Sequence, residues 1–115
     1  MASEQVRSHL GVLEYLRDLD ESQRITFIKT ASPQILRVIS ELALNLLHSN
    51  IKVSNENLQK LKKHKNKIIK LSQRKHSTQT RRNLLSMRGG LLGTFLAAVV
   101  PSVISAIIAA TQRKK

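Results

Sequence analysis

The sequence predicts an all-α fold with a small N-terminal helical bundle, a basic helix followed by a linker, and a C-terminal apolar helix. Three observations support this class. Apolar residues recur every three or four positions in the first half of the chain, which is the spacing of an amphipathic helix. No run alternates apolar and polar residues between hairpin turns, as strands do. Residues 91–110 form one uncharged apolar stretch. With 115 residues, the chain can close only one modest core.

The charge distribution divides the chain into three predicted domains. Residues 1–51, a small helical domain, carry five basic and six acidic side chains. Residues 52–90, a basic DNA-binding helix and flexible linker, carry twelve Lys and Arg side chains against Glu56 alone. Residues 91–115 are an apolar tail with a basic C-terminus. The total net charge of +13 predicts a polyanionic partner, either nucleic acid or an acidic membrane surface.

The N-terminal domain contains start signals for two of its helices. Asp20 and Gln23 have the spacing of a capping box, and Ser32 before Pro33 places a capping hydroxyl before a first-turn proline. The predicted core positions are Val6, Leu10, Leu13 and Leu16, then Ile25 and Ile28, then Ile35, Leu36, Ile39, Leu42, Ala43, Leu46 and Leu47. We therefore expect three or four short helices packed together.

The basic segment predicts a helix that starts after Ser54 and extends to about Gln73, followed by a flexible linker up to Gly89 and Gly90. Its apolar side comprises Leu58, Leu61, Ile68 and Leu71. The candidate nucleic-acid-binding residues are Lys60, Lys62, Lys63, Lys65, Lys67, Lys70, Arg74, Lys75, Arg81 and Arg82. Lysine neutralises phosphates as a point charge, and neither an aromatic stacking platform nor a recognition helix is evident, so we expect no base specificity. The alternative is a lysine-rich helix face that is merely solvated.

The tail leaves two interpretations open. Its 20 uncharged residues match the ~20 that a helix needs to cross a bilayer. Large residues come in adjacent pairs every four positions, and a row of small residues or proline lies between them. That row, Gly93, Ala97, Pro101, Ser105 and Ala109, favours close helix association in a membrane. Alternatively, the helix covers the N-terminal bundle in water with its large side inward. Pro101 is expected to kink it in either case.

No catalytic machinery is recognisable, so we expect a protein that is not an enzyme and needs no cofactor. The chain has no cysteine, and it lacks the spacings of a nucleophile elbow, a phosphate-binding loop or a zinc-protease helix. Its four histidines, His9, His48, His64 and His76, are scattered, with no second ligand type at metal spacing. We therefore expect no metal site.

The stretch Met87-Arg88-Gly89-Gly90-Leu91 resembles the site cut by the adenovirus-type maturation cysteine protease. That protease prefers a large aliphatic residue, any residue and then Gly-Gly, with the scissile bond after the second glycine. Glycines can pass through a narrow cleft that excludes larger residues, and Met87 offers an apolar anchor. The alternative is that Gly89 and Gly90 only separate two helices.

The surroundings of this motif resemble the small DNA-core-protein precursor of adenoviruses over residues 74–115. A basic region, MRGG, an Ala/Ile/Val-rich stretch with an internal proline and a basic C-terminus occur there in the same order. The upstream part departs from that precursor because lysine dominates and a helical domain precedes it. ASPQILRVISELALNLLHSN, LQKLKKHKNKIIKL and RRNLLSMRGGLLG together resemble the small basic pX-like proteins of the Maverick/Polinton and adintovirus group over most of the chain.

This resemblance implies a late viral protein, the precursor of a virion core protein that binds and condenses double-stranded viral DNA and is cleaved after Gly90. The implied partners are that DNA and the viral maturation cysteine protease, with membrane or capsid proteins and self-association through the tail as further contacts. The implied locations are the virion and, during assembly, the host nucleus. Two alternatives stay open: a membrane-active or tail-anchored protein that uses residues 91–110, and a helical adaptor that binds a capsid protein through residues 1–51.

Overall fold

A computed structural model describes residues 4–73, 75–87 and 89–113. These ranges contain eight α-helices and no strand, which confirms the all-α class. The helices are α1 Glu4–Ser8, α2 Leu10–Asp18, α3 Glu21–Thr30, α4 Pro33–Leu47, α5 Asn55–Lys62, α6 Lys65–Ser72, α7 Thr78–Leu85 and α8 Leu91–Arg113.

The three helix starts predicted from capping residues are confirmed. At α3, the Asp20 carboxylate accepts from the Gln23 backbone N–H at 2.8 Å, and the Gln23 side chain accepts from the Asp20 backbone N–H at 3.1 Å. The Ser32 hydroxyl accepts from the Ile35 N–H at 3.4 Å at the start of α4, where Pro33 occupies the first turn. Ser54 accepts from the Asn57 N–H at 3.2 Å at the start of α5. These bonds satisfy backbone donors that a helix leaves free at its N-terminus.

The predicted continuous basic helix is divided into α5 and α6 by a break at Lys63 and His64. The two halves have different partners, since α5 packs on α8 and α6 packs on α4. Leu61 of α5 and Ile68 of α6 are both buried. Lysines three or four positions apart on one helix also repel each other. The break lets the two halves pack against different helices.

A helix stands where a flexible linker was expected. Ser77 begins α7 by accepting from the Thr80 N–H at 3.1 Å, and Leu84 and Leu85 near its end are buried. The helix packs against α3, α4 and α6. Its sequence is polar apart from this pair of leucines, which is why helical periodicity did not reveal it.

The first half of α8 is a core helix of this fold. It packs against α2, α3 and α5. Its buried residues are Leu91, Leu92, Phe95, Leu96, Ala98, Val99, Val100 and Val103. They belong to one hydrophobic cluster with residues from the N-terminal segment, such as Leu13 and Leu42, and from the basic segment, such as Leu71. The helix continues through Pro101, which lies exposed on its outer side.

The predicted N-terminal core is largely buried as expected. Val6, Leu13, Leu16, Ile28, Leu36, Ile39, Leu42 and Ala43 are buried, whereas Leu10, Ile25, Ile35 and Leu46 are half-buried. Leu47 is exposed at the end of α4. Ser40 and Val38 are buried although the sequence did not indicate them. The Ser40 hydroxyl donates to the Leu71 carbonyl at 2.6 Å, so α4 and α6 share a buried hydrogen bond.

Candidate nucleic-acid interface

The lysines of α5 and α6 present their charge to solvent. Five of the predicted phosphate-binding residues on these helices and the turn between them are exposed, and Lys67 is half-buried. The five are Lys60, Lys62, Lys63, Lys65 and Lys70. Because Leu61, Ile68 and Leu71 point into the core, packing fixes which sides of α5 and α6 the cations occupy. The two helices together form an anchored, lysine-rich surface, which we call the lysine face.

The lysine face contains almost no compensating acid. Glu56 is the single acidic residue between positions 52 and 90, and its carboxylate lies 3.6 Å from the Lys60 ammonium. Both side chains are more than half exposed. An exposed pair one helical turn apart contributes little stability and leaves most of the positive potential in place. Most of the positive charge of the lysine face is therefore uncompensated by this pair.

The pKa of His64 reflects its burial and the charges of nearby lysines. His64 lies between α5 and α6, and its pKa is lowered from the ordinary value of 6.5, first by burial and then by the charges of Lys67 and Lys63. Two nearby cations disfavour a third positive charge on the imidazole. The neutral form of the His64 ring is therefore favoured.

The four remaining predicted DNA contacts differ from these lysines. Lys75 is exposed, and Arg74 lies outside the described residues. Arg81 is half-buried and donates to the Gln73 carbonyl at 3.4 Å. Arg82 is turned inward: its Nη1 donates to three carbonyls at the C-terminal end of α3. These belong to Ile28 at 2.8 Å, Lys29 at 3.2 Å and Ala31 at 2.9 Å. The Arg82 guanidinium is thus engaged in holding α7 to α3.

Two of the three aromatic rings meet on the surface of the N-terminal segment. The rings of Tyr15 on α2 and Phe27 on α3 have centroids 6.1 Å apart and are tilted by 59°. No local pattern in the sequence indicates this pair, because the residues are twelve positions apart and meet only when α2 and α3 pack. The pair lies on the segment with no excess of basic residues, away in sequence from the lysines.

The predicted protease motif is only partly accessible. Met87 is 48% exposed, and Gly89 and Gly90 have positive φ angles of 123° and 79°. Leu91, which would follow the scissile bond, is 2% exposed and begins α8. The Thr94 N–H donates to the Gly90 carbonyl at 2.9 Å. Arg88 lies outside the described residues.

The small-residue row of α8 faces outward, while the large side faces the bundle. Ala97, Pro101, Ser105 and Ala109 are exposed, and Gly93 is half-buried against the Arg24 guanidinium. By length and composition the span Leu91–Ala110, with a mean hydropathy of 2.3, is apolar enough to cross a membrane. In the fold, 44% of the residues in its most apolar stretch are buried.

The comparisons with known proteins add no relative. No family model, no curated protein and no solved structure matches this chain. Within the described ranges, no three His, Cys, Asp or Glu side chains form a group able to hold a metal ion. The candidate site is thus defined by its charge and exposure alone, and the viral resemblance stays a prediction.

Proposed function

We propose that the chain binds double-stranded DNA without sequence preference, through phosphates, and condenses it as a component of a virion core. One observation carries the proposal: lysines cover the solvent side of α5 and α6, with Glu56 as the single acid of the segment. Lysine ammonium groups bind phosphate oxygens, and the release of condensed counterions from DNA drives association. No base-reading side chain is required.

The fold supports this mechanism by anchoring the cations. Leu61, Ile68 and Leu71 hold the helix backbones in the core, so that the flexible lysine side chains adjust to the duplex while their base stays fixed. Segment 52–90 carries twelve basic residues against one acid. Phosphates of the duplex would replace the acids that this segment lacks, which lowers the repulsion between neighbouring lysines. Neutralisation of phosphates on adjacent duplexes is the step by which polycations condense DNA.

We further propose that the protein is a precursor cut after Gly90 by a maturation cysteine protease. The sequence Met87-Arg88-Gly89-Gly90 and the exposed Met87 support this assignment. Leu91 is the first residue of α8 and is buried, so the cut requires the first turn of α8 to open.

A salt titration tests the DNA-binding proposal. If six to ten phosphates are contacted, the affinity of the full chain for a random-sequence duplex is expected to fall by roughly 10³ to 10⁵ between 50 and 200 mM salt. A second duplex of different sequence is expected to give the same curve. A flat salt response, or a strong preference for one duplex, contradicts the proposal.

A matched pair of variants locates the interface. Replacing Lys62, Lys63, Lys65 and Lys67 together by Gln is expected to reduce the slope of log affinity against log salt. The control replaces Arg7, Arg17, Lys29 and Arg37 of the N-terminal segment by Gln, which removes the same charge. The control is expected to reduce the slope much less, since those cations lie outside the lysine face. Equal losses in the two variants would show that net charge alone governs binding.

The membrane-active alternative rests on the length and hydropathy of Leu91–Ala110. It requires α8 to leave the core, which exposes Phe95, Leu96 and the side chains packed on them. Flotation of the full chain with anionic and with neutral vesicles tests it. Flotation with neutral vesicles at high salt supports insertion of the apolar helix, whereas flotation with anionic vesicles at low salt alone reflects the lysine face.

A further inference from the structure

An apolar groove lies beside the lysine face. It has a volume of about 470 Å³ and runs between the C-terminal end of α4 and the helices α5 and α6. Its walls are formed by Leu46, Leu47, Ser49, Leu58, Leu61, Lys62, Lys65 and Ile68. Five of these eight residues are large and aliphatic, and the two charged ones are both lysines.

Two leucine side chains that line the groove are exposed to solvent. Leu58 is 42% exposed and Leu47 is 39% exposed, and both lie on helices whose other apolar residues are largely buried. Scattered exposed leucines are ordinary, but two that line one concave, largely apolar surface are compatible with a binding groove. Leu61 and Ile68, buried at its base, fix the walls in place.

We infer that this groove binds an amphipathic helix of a protein partner whose apolar side is flanked by acidic residues. The inference goes beyond DNA binding and stands independently of it. Helices dock into apolar grooves through large side chains spaced by three or four positions. A guest helix would place such side chains between Leu47 and Leu58.

Charge complementarity selects the occupant. Lys62 and Lys65 border the groove without an ion-pair partner among the described residues, so carboxylates beside the apolar side of the guest would meet both ammonium groups. A second copy of this chain is a poor occupant, because each copy carries a net charge of +13. A guest helix with acidic flanks is attracted electrostatically by the lysine face as it approaches the groove.

The groove and the lysine face share two residues, which links the two ligands. Carboxylates of a bound helix and DNA phosphates would compete for the ammonium groups of Lys62 and Lys65, and the two anions repel each other. The acidic helix and DNA are therefore expected to weaken each other's binding, and by linkage each does so by the same factor. An acidic partner on this groove would keep part of the lysine face from DNA.

A designed peptide pair tests the inference with the full chain. The probe is an amphipathic peptide of ~15 residues with leucines on one side and glutamates flanking them, labelled for fluorescence anisotropy. The comparison peptide has the same charges but serines in place of the leucines. The leucine peptide is expected to bind, and Leu58→Ser is expected to weaken it roughly tenfold. Ile108→Ser removes another exposed aliphatic residue, on α8 and outside the groove, and is expected to change nothing.

A charge pair separates this groove from the DNA interface. Lys62→Glu with Lys65→Glu alters the groove rim. Lys60→Glu with Lys63→Glu makes the same change of charge on α5 and in the turn after it, outside the groove. DNA affinity is expected to fall in both variants, while affinity for the leucine peptide falls mainly in the first. Unchanged DNA affinity in both variants, with affinity for the leucine peptide lost in the first alone, would contradict the DNA proposal and leave the groove intact.

Any one of three results with the peptides overturns the inference. The serine peptide binds as well as the leucine peptide, Leu58→Ser has no effect, or both charge pairs weaken the peptide equally. Anionic vesicles serve as the competing ligand. Binding to them that depends on Leu58, with no binding of the leucine peptide, would assign the groove to lipid and also overturn the inference.

Discussion

The Arg82 Nη1 donates to the Ile28 carbonyl oxygen at 2.8 Å, across 54 positions of the chain. The same nitrogen donates to the carbonyls of Lys29 and Ala31, so one guanidinium closes the C-terminal end of α3. Carbonyls at a helix C-terminus have no intrahelical partner and carry partial negative charge, which makes a cation favourable there. Arg82 therefore joins the polar helix α7 to the N-terminal segment.

Arg82→Gln is expected to destabilise the protein by about 1.5–3 kcal/mol, because the carbonyls lose hydrogen bonds from a charged donor. Chemical denaturation of the full chain measures the change. The control is Lys75→Gln, which removes one exposed charge nearby and is expected to leave stability nearly unchanged. A stability of Arg82→Gln equal to that of the control would show that the guanidinium does not hold α7.

The pKa of His64 gives a pH dependence with a definite sign. It is lowered below 6.5 in the folded chain by burial and by Lys67 and Lys63. Below pH 6.5 the unfolded chain takes up a proton that the folded chain does not. The stability present above pH 6.5 is therefore lost as the pH falls through the folded-state pKa. His64→Gln is expected to flatten this part of the stability curve, as measured by urea denaturation at several pH values.

DNA is expected to raise the pKa of His64, since bound phosphates offset the field of Lys63 and Lys67. An NMR titration of the His64 ring proton with and without duplex measures this shift, and the His64→Gln spectrum assigns the signal. An unchanged or lower pKa in the complex would place the phosphates away from the turn between α5 and α6.

Local signals in the sequence were sufficient for the helix starts and for the exposure of the lysines. Asp20, Ser32 and Ser54 cap their helices through bonds within three residues, so nothing distant is needed to predict them. Helix α7 was missed because its support is distant: Arg82 bonds to residues 28–31, and Leu84 is buried only once α7 packs on its neighbours. The spacing of apolar residues within a short stretch of sequence does not indicate such distant contacts.

The same distinction separates Arg82 from the lysines in the candidate site. Arg82 and the lysines are all cations in one basic segment, so the composition of the segment does not distinguish them. A tertiary contact gives Arg82 inward partners, while Lys62 and Lys65 remain exposed beside a groove whose α4 wall is distant in sequence. For α8, an apolar stretch fits both a membrane span and a core helix. The residues of α8 alone do not distinguish the two, whereas its contacts with α2, α3 and α5 show that it packs as a core helix in this fold.

Cleavage after Gly90 is expected to be slow in the native protein and to speed up as the first turn of α8 opens. Leu91 is 2% exposed, and the Thr94 N–H donates to the Gly90 carbonyl at 2.9 Å, whereas proteases bind extended chains. A time course with an adenovirus-type maturation protease, followed by mass spectrometry, measures the product ending at Gly90. Mild urea is expected to raise the rate at concentrations that leave the protease active.

The two products are expected to stay together after the cut, because the core contacts of α8 do not depend on the peptide bond at Gly90. Size-exclusion chromatography with mass spectrometry tests this. Gly90→Val is expected to stop the cut without altering DNA affinity. Because Gly90 has a φ of 79°, a valine at this position is also strained. An intact chain after complete incubation under opening conditions would show that the MRGG motif is not a cleavage site.

Gly93 provides the last prediction, through its contact with Arg24. The Arg24 Nη1 donates to the carbonyls of Leu16 at 3.3 Å, Arg17 at 3.2 Å and Leu19, closing the C-terminal end of α2. A Cβ atom at position 93 would lie 2.7 Å from the Arg24 Nη2 and 3.1 Å from its Cζ. The guanidinium would have to move, and its bonds to α2 oppose that movement. Gly93→Ala is therefore expected to destabilise the protein by about 1–2 kcal/mol.

Gly11 is the matched control, since it also lies in the first turn of its helix and a Cβ there meets nothing within 4 Å. Gly11→Ala is expected to stabilise the protein by about 0.5 kcal/mol, because alanine loses less backbone entropy in a helix than glycine. In an Arg24→Ala background the obstacle at position 93 is gone, so Gly93→Ala is expected to become stabilising as well. Urea denaturation of the four chains in this double-mutant cycle measures the coupling. Equal effects of Gly93→Ala in both backgrounds would show that Arg24 does not require a glycine at the start of α8.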